Sequence, residues 1–436
     1  MTAATGATGA TIWYAPWAWL GGDEPAAVPG VVLEVDGGVI AGLRPGAGGP
    51  PAGAVVLPGL AMPGLVNAHS HAFHRALRGR AGGGDFWAWR DGMYALASRL
   101  DPESYLSLAT ACFAEMAETG ITTVHEFHYL HQPRGMDDAV VEAARAVGLR
   151  LVLLDTCYLR AGFGEEPLSP VQRRFSDGDV HAWAARASAL AARYPDVSVG
   201  AAVHSVRAVD AVSMRVVGAW AEQRGAPMHL HLSEQQAENG ACLAATGRTP
   251  TELVAGAGLL GPRTTVVHAT HVTAGDMALL GDAGVTACLC PTTERDLADG
   301  VGPAAALRDA GCTLALGSDS HAVIDLFEEA RAVELDERLV SGRRGVHVPA
   351  ALLNAAAGGN RLAVGEPADF IAVSLDSVRM AGFGAASAAD HVVFATSAAD
   401  VTDVVVGGRR IVAGGRHVTV DTPAALAASI GSLVRP

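Results

Sequence analysis

The chain has 436 residues, of which 50% are hydrophobic and 17% are charged, so it can bury a large core. Its 45 acidic and 31 basic residues give a net charge of −14, and no basic run of the kind that follows a phosphate backbone is present. We therefore expect no nucleic-acid partner. The sequence contains no lysine, which excludes a Schiff-base lysine, a P-loop lysine and a carboxylated lysine that bridges two metals.

The sequence also predicts where the protein resides. The first apolar stretch, residues 12–20, contains a proline, follows no basic residues and is too short to span a bilayer. The six cysteines show no CxxC spacing and most lie in apolar runs, which is typical of a reduced cytosol. We expect a soluble cytoplasmic protein without a signal peptide or a membrane segment.

From Gly64 onward, the sequence repeats a strand followed by a helix. Apolar or β-branched runs predict eight strands, at residues 65–71, 121–130, 151–158, 197–206, 228–234, 264–271, 285–291 and 313–321. Alanine-rich stretches between them predict helices, among them 104–119, 137–147, 180–194, 211–225 and 251–257. Because each parallel crossover needs a covering helix, these units predict an α/β fold, a closed (β/α)8 TIM barrel over residues 60–361.

The two terminal segments, residues 1–59 and 362–436, have a different pattern. Both resemble short twisted strands with glycine turns, including a hairpin at 404–412, and the proline- and glycine-rich stretch 45–54 predicts a loop. Neither segment can bury a sheet face by itself. We expect the two to combine into one small β-sandwich domain.

Five polar residues stand at the ends of predicted barrel strands: His69, His71, His231, His268 and Asp319. Two histidines at i and i+2 on a strand project to the same side, so both imidazoles can reach one ion. Barrel enzymes place their chemistry at this end of the strands. Histidine nitrogens and a carboxylate, with room left for water, indicate a catalytic metal site, since a structural site would close its shell with cysteines.

The other polar residues near these strand ends indicate proton transfer. Glu234 follows His231 by three residues and can carry a proton from water to a leaving group, and Asp319 can bind metal and accept a proton. His268 can hydrogen-bond hydroxide or polarise the electrophile instead of ligating, which leaves three histidines and Asp319 as ligands. His271 is the less favoured alternative to His268, because it lies farther from the strand interior.

A further group of histidines ends the second predicted strand: His125, His128 and His131. Their spacing of three does not hold the imidazoles on one face of a strand-to-loop segment. We therefore expect no second metal site.

Four motifs resemble the amidohydrolase superfamily: Pro-Gly-Leu-Val-Asn-Ala-His-Ser-His at 63–71, His-Leu-Ser-Glu at 231–234, Val-His-Ala-Thr-His at 267–271 and Gly-Ser-Asp-Ser-His at 317–321. They are similar to its mononuclear deaminase branch, which lacks the carboxylated lysine. The resemblance implies a metal-dependent hydrolase with one Zn²⁺ per subunit, held by His69, His71, His231 and Asp319, and a homodimer. Fe²⁺ is also compatible with these ligands.

Narrower motifs at 71–76, 86–90, 126–131, 204–207 and 290–294 are similar to the formimidoylglutamate deiminases. Those enzymes of histidine degradation convert N-formimidoyl-L-glutamate and water to N-formyl-L-glutamate and ammonia. The resemblance implies a small dicarboxylate substrate, with Glu234, His268 and Asp319 catalytic. It also implies substrate contacts at five positions: His74, Arg90, Tyr129, His204 and Arg207.

Arginine suits such a substrate, because its planar fork binds a carboxylate through two hydrogen bonds. His74 departs from the family pattern, in which we expect glutamine, and histidine can take a charge near neutral pH. The alternative function is another deaminase of this branch, which acts on guanine, cytosine or an adenosine derivative. That alternative predicts a pocket for a flat ring with no need for two arginines.

Overall fold

The computed structural model describes residues 10–80, 83–164 and 166–434. The strands in these ranges are β1 (Thr11–Ala18), β2 (Val28–Asp36), β3 (Val39–Arg44), β4 (Val55–Val56), β5 (Leu60–Pro63), β6 (Leu65–Ser70), β7 (Ile121–His128), β8 (Arg150–Cys157), β9 (Ser198–Val203), β10 (Met228–Leu232), β11 (Thr264–His268), β12 (Thr286–Leu289), β13 (Thr313–Leu316), β14 (Phe370–Val373), β15 (Val401–Val406), β16 (Arg409–Ala413) and β17 (Arg416–His417).

The α-helices are α1 (Phe86–Arg99), α2 (Pro102–Glu118), α3 (Met136–Val147), α4 (Val180–Arg193), α5 (Ala211–Arg224), α6 (Gln236–Thr246), α7 (Pro250–Gly256), α8 (Ala274–Asp282), α9 (Pro291–Asp296), α10 (Ala304–Ala310), α11 (Leu326–Ser341), α12 (Pro349–Ala356), α13 (Ala388–Ala395) and α14 (Thr422–Val434). The five predicted helices are present as α2, α3, α4, α5 and α7, each within two residues of the predicted ends. No helix in the described ranges has both the length and the apolar content needed to cross a membrane.

The eight strands β6 to β13 form one parallel sheet in chain order. A parallel bridge between Ser70 and Asp319 joins the end of the first strand to the end of the last. The predicted TIM barrel is confirmed. Several strands stop earlier than predicted because the backbone turns into the left-handed region there: β10 ends at Leu232, before Ser233 (φ 53°), and β11 ends at His268 (φ 72°).

The terminal segments meet in one mixed nine-stranded sheet, as predicted. It contains β1 to β5 and β14 to β17, with β5 parallel to β1 and antiparallel to β14. The predicted hairpin is β15–β16, and its turn residues Gly407 and Gly408 have φ of 55° and 77°, which glycine adopts without steric cost. Because β5 belongs to this sheet, the sheet extends to Pro63, four residues past the segment 1–59.

The last helix is a feature that the strand prediction for residues 362–436 missed. Helix α14 lies against α2 of the barrel, where the Thr422 hydroxyl donates to Glu118 Oε1 at 2.8 Å. Arg99 donates to the carbonyl oxygen of Leu433 at 3.0 Å. One face of this alanine-rich segment, with Thr422, Ser429 and Leu433, is buried, and packing against α2 stabilises the helix.

Candidate metal centre and active-site pocket

Three histidines and one aspartate converge at the carboxyl end of the barrel. His69 is in β6, His71 follows it, His231 is in β10, and Asp319 follows β13; one ligand atom from each lies within 4.8 Å of all the others. Asp319 Oδ1 is 3.2 Å from His69 Nε2 and 3.3 Å from His71 Nε2. His231 Nε2 is 3.1 Å from His69 Nε2. The structure therefore brings together the four residues predicted to hold the metal.

Backbone carbonyls orient two of these imidazoles. Nδ1–H of His71 donates to the carbonyl oxygen of Phe127 at 3.0 Å, and Nδ1–H of His231 donates to that of His204 at 2.9 Å. Each Nε2 then presents its lone pair. Two lone pairs that converge beside the Asp319 carboxylate form a donor set that suits a divalent cation.

Burial and hydrogen bonding prepare these groups for ligation. Burial lowers the pKa of His69 to about 4, so its imidazole is neutral. Burial alone would raise the pKa of Asp319, but the adjacent His69 and His71 side chains outweigh burial and hold that pKa well below its usual value. Neutral imidazole and ionised carboxylate are the forms that bind metal.

His268 lies beside the four ligand residues. Its Nε2 is 3.7 Å from Glu234 Oε1 and 3.9 Å from Asp319 Oδ2. Its Nδ1–H donates to Glu294 Oε1 at 3.3 Å. His268 lines the pocket described below, whereas His271, the less favoured alternative, does not.

Glu294 is a residue to which the sequence analysis gave no role, although it ends the motif at 290–294. Its Oε1 also accepts the backbone N–H of Cys290 at 3.0 Å, so the carboxylate is held against His268. Burial lowers the pKa of His268, but Glu234 and the hydrogen bond to Glu294 outweigh burial and raise that pKa well above its usual value. The charged imidazolium, with N–H groups on both sides, is thereby favoured.

Glu234 has the properties of a proton donor. Burial raises its pKa to about 8 against the opposing charge of His268, so the carboxyl gains and loses its proton near neutral pH. A group whose pKa lies near the working pH can give up and regain a proton efficiently.

The backbone is strained at the strand ends that carry these groups. Five non-glycine residues there have positive φ: Ser233 (53°), His268 (72°), Ala269 (49°), Asp319 (41°) and His321 (61°). Left-handed backbone at a non-glycine residue costs on the order of 1–3 kcal/mol and persists only where its surroundings impose it. Two of these residues, His268 and Asp319, belong to the cluster of ionisable side chains at this end of the barrel.

The residues predicted to bind substrate line one pocket together with His231, Glu234, His268 and Asp319; they are His74, Arg90, Tyr129, His204 and Arg207. His74 Nε2 is 2.8 Å from the Tyr129 hydroxyl. Burial lowers the pKa of His74 well below its usual value, so the positive charge that the sequence allowed for this histidine is disfavoured. His74 is thus a neutral hydrogen-bonding group, as glutamine would be.

The two arginines of the pocket are held in different ways. The Arg90 guanidinium lies 4.5 Å from the centre of the Trp87 ring and 5.3 Å from that of Tyr94. Arg207 instead forms an ion pair with Glu238, with Nε 3.3 Å from Oε2. Both cations face the same cavity as the metal group.

The histidines near β7 do not form a second metal site. His128 lies against His131, with ring centres 5.4 Å apart, and His125 lies against His229 at 5.5 Å. Across the described parts of the chain, the group that contains Asp319 is the only one with metal-ligand spacing.

The model of the amidohydrolase family matches residues 60–411. This chain belongs to the amidohydrolase family. The predicted enzyme class, a metal-dependent hydrolase that acts on a carbon–nitrogen bond, is confirmed by this membership.

Three known proteins show how this amidohydrolase relates to others. The formimidoylglutamate deiminase of Pseudomonas aeruginosa is 34% identical over 412 residues, which cover 87% of this chain and 90% of the relative. The 5-methylthioadenosine/S-adenosylhomocysteine deaminase of Nitratidesulfovibrio vulgaris is 30% identical and covers 83% of this chain and 81% of its own length. An adenosine deaminase from Xanthomonas campestris, solved with bound zinc, has a TM-score of 0.85 at 26% identity over 97% of both chains.

Some further pocket residues of this amidohydrolase could be predicted from their spacing in the sequence, and others could not. Tyr94 follows Arg90 by four residues, so helical spacing puts both on one face of α1. Phe175 and Leu297 come from distant loops and reach the pocket only through the fold. Glu238 lies four residues after Glu234, but its pairing with Arg207 requires the arrangement of β9 and α6.

Proposed function

We propose that this amidohydrolase hydrolyses N-formimidoyl-L-glutamate to N-formyl-L-glutamate and ammonia, in histidine degradation. The observation that carries the proposal is the presence of Arg90 and Arg207 in the same pocket as the metal group. The substrate has two carboxylates and an amidine head, so a protein of net charge −14 needs fixed local cations to bind it. The 34% identity to the formimidoylglutamate deiminase of Pseudomonas aeruginosa supports the same substrate.

The proposed cofactor is one Zn²⁺ per subunit, held by His69, His71, His231 and Asp319. The zinc bound in the Xanthomonas campestris structure supports this choice, and Fe²⁺ is the alternative for the same donor set. A bound divalent ion lowers the pKa of water and so supplies hydroxide at neutral pH.

The side chains around the reacting carbon then divide the proton transfers between them. Asp319 accepts a proton from the attacking water, whose oxygen adds to the formimidoyl carbon and produces a tetrahedral adduct. The His268 N–H, which points toward Asp319 and Glu234, stabilises that adduct. Glu234, whose pKa burial raises to about 8, donates its proton to the departing nitrogen. The C–N bond breaks, the hydroxyl proton of the adduct returns to Glu234, and ammonia leaves with the proton that Asp319 had accepted, which gives the formyl product.

The remaining pocket residues fix the substrate in the geometry for attack. Arg90 and Arg207 bind the carboxylates, and the neutral pair His74–Tyr129 and His204 supply hydrogen bonds along the chain of the substrate. When both ends of a flexible substrate are bound, its reacting carbon is held in the orientation needed for attack.

The test is ammonia release from N-formimidoyl-L-glutamate, -L-aspartate and -glycine, with adenosine and guanine as rival substrates. We expect the highest kcat/KM with the glutamate derivative, because only it has two carboxylates at the spacing of glutamate. Equal rates on all three formimidoyl compounds would refute the role of two carboxylates. Activity confined to the purines would refute the proposed function.

A second candidate is the deamination of an adenosine derivative. Aromatic side chains in the pocket can stack on a flat ring, namely Phe86, Trp89, Tyr94 and Phe175. The Nitratidesulfovibrio vulgaris relative favours the same class. This candidate predicts that replacing Arg90 or Arg207 leaves turnover of the purine derivative nearly unchanged.

The setting of the enzyme is part of the proposal. We propose a cytoplasmic homodimer that acts without nucleic-acid or membrane partners. The six cysteines support a reducing compartment, since all are free and buried. Gel filtration with light scattering would show whether two subunits associate.

A further inference from the structure

Arg207 is fixed in the pocket by two acceptors on different elements. Its Nε–H donates to Glu238 Oε2 at 3.3 Å, and its Nη1 donates to the carbonyl oxygen of Ala161 at 3.5 Å. The side chains of Arg207 and Glu238 are each 15% exposed, so the pair is largely shielded from water. These two bonds define the plane of the guanidinium and leave the rest of its five-donor fork for a ligand.

The backbone around Glu238 is held in place by residues on α6 and just before it. Asn239 Nδ2 donates to the carbonyl oxygen of His271 at 2.7 Å. On the other side, Gln235 donates to the Asp299 carboxylate. The first turn of α6 is therefore anchored to the rim of the barrel on both sides of Glu238.

Arg90 provides an internal comparison. It is stacked on Trp87 and Tyr94, and its nearest acidic neighbour is Asp91 at 3.9 Å, whose side chain is 75% exposed. An exposed pair at that distance contributes little to orientation. One arginine of the pocket is thus oriented by a carboxylate and the other by aromatic rings.

We propose that Glu238 is a positioning residue for dicarboxylate ligands: it holds the Arg207 guanidinium in the orientation that binds one ligand carboxylate. This inference rests on the proposed function, because it assigns Arg207 a carboxylate to bind. A contrasting role is possible for an acid at this position, namely a counter-ion that competes with the ligand for Arg207. The two roles predict opposite changes when the charge of Glu238 is removed.

Two substitutions separate these roles. Glu238→Gln keeps an oxygen that accepts Nε–H of Arg207 but removes the negative charge, and Glu238→Ala removes both. A positioning residue predicts that the alanine variant binds a dicarboxylate about tenfold more weakly and that the glutamine variant stays within about threefold of the parent. A competing counter-ion predicts tighter binding by both variants.

The experiment is a set of double-mutant cycles on the zinc-loaded protein, with the dissociation constant of glutarate measured by calorimetry. Glu238→Ala is introduced into the parent, into Arg207→Met and into Arg90→Met. If Glu238 acts through Arg207, the alanine substitution has less than about a twofold effect in the Arg207→Met background. In the Arg90→Met background, it keeps its full effect of about tenfold. Metal content and melting temperature of each variant show whether a loss of fold causes the change.

The results that overturn the inference are specific. They are tighter glutarate binding by Glu238→Gln, a full effect of Glu238→Ala in the Arg207→Met background, or no glutarate binding by the parent at millimolar concentration. Calorimetry measures binding without turnover, so the inference and the proposed function can fail separately. If glutarate binding gives the expected double-mutant cycles but the parent does not hydrolyse N-formimidoyl-L-glutamate, the proposed function is refuted and the inference stands.

Discussion

The backbone N–H of Asp319 donates to the carbonyl oxygen of His69 at 3.0 Å, and the N–H of His71 donates back to the carbonyl oxygen of Asp319 at 3.3 Å. These two bonds join the last barrel strand to the first. They also set the spacing of three of the four metal-site residues: Asp319 Oδ1 lies 3.2 Å from His69 Nε2 and 3.3 Å from His71 Nε2. Closure of the barrel therefore also brings together three of the four residues of the metal site.

Asp319→Asn should abolish metal binding and leave the fold intact. The substitution keeps the backbone bonds to His69 and His71 but removes the only anionic ligand of the group, so affinity for a divalent cation falls. Elemental analysis should find less than about a fifth of the metal in the parent, with an unchanged circular dichroism spectrum. Asp309→Asn, at an exposed carboxylate, is the matched control. Full metal content in the Asp319 variant would contradict the assigned ligand set.

Glu234→Gln should keep the metal and lose turnover. The glutamine has the same shape but cannot give a proton to the leaving nitrogen, and general acid catalysis contributes about 10²–10⁴ in rate. We expect kcat for ammonia release to fall by at least about 10², with little change in metal content. Exposed Glu222 gives the control variant Glu222→Gln. Near-normal activity of Glu234→Gln would exclude the proposed proton donor.

Glu294→Ala should lower kcat without releasing metal, because Glu294 contacts His268 and none of the four ligands. Removing the hydrogen-bond partner of a functional histidine typically lowers activity by about 10–100-fold. We expect kcat to fall within that range and KM to change by less than about threefold. The measurement is steady-state kinetics together with elemental analysis. A parallel loss of metal would show that Glu294 supports the ligand group instead of His268.

Glu126 should make the stability of the protein depend on pH. Its carboxyl is fully buried, and burial raises its pKa to about 7, although it accepts hydrogen bonds from Ser70 Oγ (2.6 Å) and the N–H of Ala72 (2.7 Å). In the unfolded chain a glutamate has a pKa of about 4.3. The folded state therefore holds one more proton between these values, so the free energy of unfolding decreases as pH rises from about 4.5 to 7.

The effect can be isolated by comparing the parent with Glu126→Gln, which does not titrate. The stability of the parent relative to this variant should fall by up to about 3 kcal/mol between pH 5 and 8, as measured by urea denaturation. Glu222→Gln should show no such trend relative to the parent. An increase in relative stability with pH would mean that the hydrogen bonds from Ser70 and Ala72 outweigh burial.

Much of the fold was predictable because it depends on local periodicity. Eight apolar runs that alternate with alanine-rich stretches identified every barrel strand, and two short β segments that could not bury a face alone identified the small domain. The ends of the strands were less predictable, since the left-handed turns at Ser233 and His268 have no glycine to mark them. The C-terminal helix α14 was missed although its sequence carries helix signals: it is alanine-rich, Asp421 accepts the N–H of Ala424 at its start, and Pro423 lies in its first turn.

The candidate site was predictable to the extent that its residues stand at strand ends. His69, His71, His231 and Asp319 each have such a position, and the barrel rule gathers strand ends at one rim. The catalytic and binding roles of the predicted site residues remain predictions, although the structure places all of them except His69 in the lining of one pocket. The neutral state of His74 could not be read from residue type, because its pKa depends on burial.

By itself, the sequence determined the barrel and predicted the metal-binding donor set and the arginines for the proposed acidic substrate, since each follows from residue type and spacing. Only the tertiary structure decided two of the partners, Glu294 on His268 and Glu238 on Arg207. These contacts join residues that are 26 and 31 positions apart in the chain, whereas the aromatic rings on Arg90 belong to the same helix. Periodicity along the chain indicates which face of a helix or strand is buried. Contacts between side chains on different strands and helices depend on how the closed barrel arranges those elements.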